Sequence, residues 1–201
     1  MTQKKKIQSY FSVGNITRIA ILAALASILF LIEIPVVAFY KLDLSNIPVL
    51  LGTFAMGPVP GLVILALKSL IGLLHSSSVG VGELADFIMG AALIVPAGII
   101  YHRNKTRKTA IIGMAVGTVC MVIVGILANK FILIPFYIQF YPFIKDMQDV
   151  LNMTKVAGID TEAKLLLLIT GPFNLLKGVV LSVVAGLIYK PLSPLLHSKM
   201  K

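Results

Sequence analysis

Long apolar runs, interrupted at a few fixed places, dominate the chain. Set against the roughly 20 residues a helix needs to cross a bilayer, they predict spans near residues 15–34, 46–57, 58–75, 80–101, 109–134 and 164–190. The second is short, and only "GPVPG", Gly57 to Gly61, divides it from the third; Pro and Gly so spaced predict a tight turn. Without that break, Ile47 to Leu74 would be one span and the helix count five. The paired punctuation favours six. Between the first two spans, "PVVAFYKLDLSN" lies outside any span yet holds Val36, Val37, Phe39 and Leu42. Pro35 is expected to end the first helix, and apolar residues in an exposed loop need something to cover. This stretch is therefore expected to close as a lid.

Composition agrees with the pattern. Hydrophobic residues make up 58% of 201 and charged residues 13%, with mean hydropathy +0.96, beyond the roughly 45–50% apolar share of ordinary globular domains. The expectation is a single all-α integral membrane domain, residues 1–201. "ALA" at Ala24 to Ala26 resembles a signal-peptidase site, but few apolar residues precede it and the run continues past it, so a retained first span is expected. The single cysteine, Cys120, permits no internal disulfide and suggests no metal cluster.

A net charge of +10 could point to nucleic acid, but the charges sit at span ends. Lys4, Lys5, Lys6 and Arg18, then Arg103, Lys105, Arg107 and Lys108, then Lys190, Lys199 and Lys201 account for 11 of the 18 basic residues. With six spans all three segments fall on one side, which the positive-inside rule makes the cytoplasm; five spans would divide them. The eight acids, Glu33, Asp43, Glu83, Asp86, Asp146, Asp149, Asp160 and Glu162, then fall in the outer loops or outer span ends. Both termini are expected in the cytoplasm, with function facing outward.

Enzyme motifs fail their tests. "GPFNLLKG" places Leu176 and Gly178 where a phosphate loop needs glycine before the lysine and a hydroxyl after it. His75, His102 and His197 are scattered without helical zinc spacing, and no nucleophile elbow is present. No catalytic residue, cofactor or metal is expected.

Polar residues inside the spans are more informative. Asn174 and Lys177 are three apart and share one helix face. Glu83 and Asp86 repeat that spacing in the fourth span, and Asn129 lies in the fifth. An ionisable residue in a span is a functional candidate whose partner must be named. One reading makes Lys177 a helix clamp paired with Asp86 or Glu83; the other makes two amides and an ammonium a reader of a flat polar heterocycle. Ala20/Ala24 and Ala23/Ser27 in the first span, and Gly113/Gly117 in the fifth, are small-residue pairs that admit close helix approach. The glycines are expected to pack within the bundle, and the first span to leave room for a partner protein.

The ordered set "KLDLSNIPVLLGTFAMGPVPG", "GVGELADFIMGAALIVPAG", "LANKFILIPFY" and "GPFNLLKGVV" resembles the riboflavin-specific substrate-binding (S) components of energy-coupling factor (ECF) transporters over nearly the whole chain. The resemblance implies a multi-pass protein of a bacterial plasma membrane. Such a protein captures riboflavin at its outer face and joins a transmembrane coupling subunit and two cytoplasmic ATPase subunits. It places flavin-ring contacts on Asn129, Asn174 and Lys177, and partner docking on Ala20 and Ala24. The fourth-span motif departs from the family's pattern, with Glu83 and Asp86 where amides are expected. The ring edge offers carbonyl, N–H and carbonyl, which amides and an ammonium can satisfy, while its fused body needs apolar walls such as Val36, Leu42 and Ile134. Other readings are an S component for another vitamin, a membrane enzyme using Glu83 or Asp86 as base, and a purely structural subunit.

Overall fold

The computed structural model describes residues 12–197, and side chains as far as Tyr189. The basic residues Lys4, Lys5, Lys6, Lys199 and Lys201, and the side chain of Lys190, lie outside the described residues. Helix α1 is Val13–Phe30; a hairpin follows, β1 Ile34–Val37 and β2 Tyr40–Leu42; then come α2 Asn46–Met56, α3 Pro58–Gly72 and α4 Val81–Arg103. Helix α5 runs Arg107–Phe140, α6 is Met147–Met153, and α7 joins Glu162–Lys164, a π-helical turn Leu165–Thr170 and Gly171–His197. Among the described residues, α1, α3, α4, α5 and α7 are long and apolar enough to cross a membrane, and α2 is a shorter apolar helix.

At 11 residues, α2 is only about 16 Å long. Every residue of it except Ala55 is buried, so it is enclosed by protein and needs no lipid-crossing length. Gly57 separates it from α3 with φ 113°, a conformation glycine adopts without the Cβ clash, and Pro58 then opens α3 where its missing N–H costs no helical bond. The punctuation read in "GPVPG" therefore does divide two helices.

Three helices depart most from the expected spans. The first helix ends at Phe30, not 34, because Ile34–Val37 is taken by the hairpin, with Pro35 opposite Lys41; Pro35 is a strand residue rather than the helix stop. The fifth runs past 134 to Phe140 because a π-helical turn, Asn129–Leu133, precedes Pro135. The wider turn relieves the clash and lost bond that proline brings to a regular helix. The last begins at Glu162 rather than 164 and continues to His197.

Large apolar side chains such as Ile21, Leu25 and Ile28 on α1 and Val119, Ile123 and Leu127 on α5 are exposed, the expected face toward lipid. One buried cluster joins Leu50, Phe54, Ile64, Leu93, Met121 and Leu181. A second, at the hairpin end, joins Val81, Leu133, Tyr137, Ile144, Val150 and Leu165. Gly113 and Gly117 pack inside the bundle: a Cβ on either would lie within 2.8 Å of the backbone oxygen of Ala97 or Leu93.

Candidate functional site

A cavity of about 240 Å³ opens beside the second cluster. The hairpin contributes Phe39, Tyr40 and Lys41 and is followed by Asp43; α4 contributes Glu83, Asp86 and Met89; α5 contributes Asn129, Leu133 and Tyr137; α7 contributes Phe173, Asn174 and Lys177. Tyr141, Phe143, Ile144 and Met153, from the segment after α5, close another side. Aromatic rings pack at tilted angles around it, Phe39 with Tyr40 and Tyr137, and Tyr40 with Phe173.

The polar side chains on the helices are held by local geometry. Asn129 Nδ2 donates to Gly125 O at 2.8 Å and Asn174 Nδ2 donates to Thr170 O at 2.9 Å. Each amide thus spends a donor on the turn below it and presents its oxygen sideways. The Tyr40 hydroxyl donates to Asn129 Oδ1 at 3.1 Å and accepts from the Thr170 hydroxyl at 2.5 Å. Asn129 opens one π-helical turn and Thr170 closes the other, so the hairpin is fastened where both long helices widen. Burial pushes the Tyr40 hydroxyl up to about 12, against the hydrogen bond from Thr170. Among the described residues, Asn174 Oδ1 is buried and has no hydrogen-bond partner. A buried acceptor left unmade costs about 1–3 kcal/mol, so this oxygen is a standing demand for an N–H from whatever fills the cavity. Room for the amide comes from Gly125, where a Cβ would lie 2.6 Å from Asn174 Nδ2.

Four charges form a closed ring beside these amides. Lys177 Nζ lies 2.7 Å from Asp43 Oδ2 and 3.1 Å from Asp86 Oδ1. Asp86 Oδ2 lies 2.5 Å from Lys68 Nζ. Lys68 also donates to Ser45 Oγ and Asn46 Oδ1, both at 2.9 Å, and Ser45 closes the ring by donating its hydroxyl and its N–H to Asp43. All four charged residues are buried, Lys68 completely. Two ammoniums against two carboxylates make the ring neutral, the condition under which charges can be held away from water. An ammonium has three N–H donors. Lys68 spends all three on the protein; Lys177 spends two, and its third is free for the cavity.

Asn129, Asn174, Lys177, Glu83 and Asp86 are brought together around one cavity. Lys177 does pair with Asp86, as the clamp reading expects, and it lines the cavity as well. Of the expected apolar walls, Val36 is exposed, Leu42 half-buried and Ile134 buried in the second cluster; none of the three lines the cavity, whose walls are Phe39, Tyr40, Leu133, Tyr137 and Phe173 instead. In the hairpin Tyr40 is buried, and Phe39, Tyr40 and Lys41 line the cavity where Val36 and Leu42 do not. Ala20 and Ala24 are exposed on α1, whereas Ala23 is buried against the bundle. Lys68 and Asp43 were open to the argument that singles out Lys177, since a lysine in "LVILALKSLIGLL" is an ionisable residue inside a span.

Comparison with known proteins bears on what the cavity serves. A family model described as "ECF transporter, substrate-specific component" matches residues 14–189. Riboflavin transporter RibU of Staphylococcus aureus is 33% identical over 180 residues, covering 87% of this chain and 88% of that protein. Riboflavin transporter FmnP of Bacillus subtilis is 28% identical over 190 residues, covering 90% and 93%. A solved structure described as the S component of a bacterial ECF transporter superimposes with a TM-score of 0.72 at 31% identity, covering 91% of this chain and 97% of its own.

Proposed function

Because this chain belongs to the substrate-specific (S) components of ECF transporters, we propose that it is a riboflavin-binding uptake subunit of a bacterial plasma membrane. The observation that carries the reading is the unpartnered Asn174 Oδ1, set beside the spare N–H of Lys177 in an aromatic-walled cavity. The isoalloxazine edge offers an N–H to the first and a carbonyl to the second, and its flat rings fit between Tyr40, Tyr137 and Phe173. The names of the Staphylococcus and Bacillus relatives support the same ligand. Riboflavin is cargo here, not a resident cofactor.

The five long helices and α2 form one six-helix domain, with both termini in the cytoplasm and the cavity outside. The exposed Arg103, Lys105, Arg107 and Lys108 support this orientation: they lie at the end of α4 opposite Glu83, roughly 30 Å along the helix axis. Energy comes from partners, a transmembrane coupling subunit and two ATPases, with Ala20 and Ala24 on the docking face. The test is purification from cells grown with riboflavin. A yellow preparation with a flavin spectrum is expected, with bound ligand displaced by riboflavin and not by thiamine or biotin; a colourless protein that binds one of the other vitamins would replace this reading.

A further inference from the structure

We propose, resting on that reading, that the pocket selects riboflavin over riboflavin 5′-phosphate by charge, and that Glu83 sets the selection. Four carboxylates line the cavity, and three have an ammonium: Glu33 has Lys41 at 2.5 Å, Asp43 has Lys177, and Asp86 has Lys68 and Lys177. Glu83 has none among the described residues, although it is buried. Four carboxylates against three ammoniums leave the site with one negative charge, and it resides on Glu83.

The way Glu83 is held identifies it as an acceptor. Ser76 Oγ accepts from the backbone N–H of Ser78 at 3.2 Å and of Gly80 at 2.8 Å, and Ser78 Oγ accepts from the N–H of Gly82 at 2.9 Å. With their lone pairs so engaged, both hydroxyls point their protons at Glu83 Oε2, at 2.8 and 3.1 Å. The loop before α4 thus supplies neutral hydroxyl donors to the carboxylate and no cation. Oε1 makes no hydrogen bond among the described residues, and Glu83 lines the cavity. A chain of neutral hydroxyls can donate to that oxygen, whereas a phosphate carries up to two negative charges and at neutral pH offers almost only acceptors. Like charges held close in a site shielded from water repel far more than in bulk solvent. The ammoniums that could offset the phosphate are committed: Lys68 completely, Lys177 to two carboxylates, and Lys41 to Glu33.

The experiment titrates the purified full-length chain with riboflavin, riboflavin 5′-phosphate and an uncharged 5′-ester of similar bulk, following flavin fluorescence. Riboflavin and the neutral ester are expected to bind alike, and the phosphate about tenfold more weakly or worse, equivalent to about 1.4 kcal/mol or more. Glu83→Gln keeps the acceptor oxygen, removes the charge and should narrow that gap several-fold while riboflavin affinity changes less. Phosphate binding as tight as riboflavin, a neutral ester as weak as the phosphate, or a selectivity ratio untouched by Glu83→Gln would each overturn the proposal. If Glu83→Gln does not fold, the three-ligand comparison on the unaltered chain decides alone. Failure of riboflavin itself to bind would instead overturn the functional reading on which the inference rests.

Discussion

Lys68 and Lys177 carry ammoniums into the same ring, yet their losses should read out differently. Lys68 spends every N–H on the protein, so Lys68→Met should lower the melting temperature sharply. Removing one member of a buried pair costs about 3–5 kcal/mol, while affinity in the remaining folded protein should change little. Lys177→Met should also weaken riboflavin binding, by about 1.5–3 kcal/mol for a lost charged hydrogen bond. Adding Asp43→Asn to Lys177→Met rebalances the ring, so thermal stability should partly return without the affinity. Recovery of both would make Lys177 a clamp and nothing more. Gly125→Ala is a separate probe of Asn174. Alanine suits a helix better than glycine by about 1 kcal/mol, but its Cβ would meet the Asn174 amide at 2.6 Å. Weaker binding in a chain that melts no lower than before is expected from a flavin titration and a thermal scan.

At the scale of elements, the hairpin is tied to the long helices by one hydroxyl. Tyr40→Phe leaves Asn129 Oδ1 without its donor and should loosen the hairpin by about 1–3 kcal/mol, seen as faster amide exchange in β1 and β2. Burial of the same hydroxyl makes closure pH-dependent. An open hairpin has a tyrosine that ionises near the usual value of about 10, whereas the closed one holds its proton to about 12. Closure is therefore fully favoured below about 10 and weakens as pH rises through about 12, a dependence that Tyr40→Phe should remove. A spin label at Ala38, the hairpin tip with φ 49°, placed in a Cys120→Ser background, should lose mobility when riboflavin saturates the protein. Identical spectra would leave the hairpin as a fixed wall. The long apolar runs and the Gly57 break were legible because length, Pro and Gly act locally. The π-helical turns were not, since they fall in runs such as "LLLLIT" that are apolar on nearly every side and show no phase shift, and Pro135 reads as an end only while the preceding turn is taken as regular. Hairpin pairing was hidden because four- and three-residue strands carry too little alternation to outweigh a loop.

For the whole molecule, capture and transport should separate. Leucine at both Ala20 and Ala24 enlarges an exposed face of α1 away from the cavity and blocks close helix approach in lipid. Riboflavin binding by the purified double variant should be unchanged, while cellular uptake and co-purification of the coupling subunit fall; normal uptake would remove this face from the partner interface. The shared helix face of Asn174 and Lys177 was legible from spacing alone. The ring was not, because Asp43, Lys68, Asp86 and Lys177 meet only in three dimensions, up to 134 positions apart. That separation bears on how the protein is made. During synthesis Lys68 and Asp86 emerge early enough to neutralise each other. Asp43 has no cation until Lys177 leaves the ribosome. The last span is thus the step that completes the charge balance of the first half of the chain, and a nascent protein halted before it carries a carboxylate that lacks the ammonium it pairs with in the finished fold.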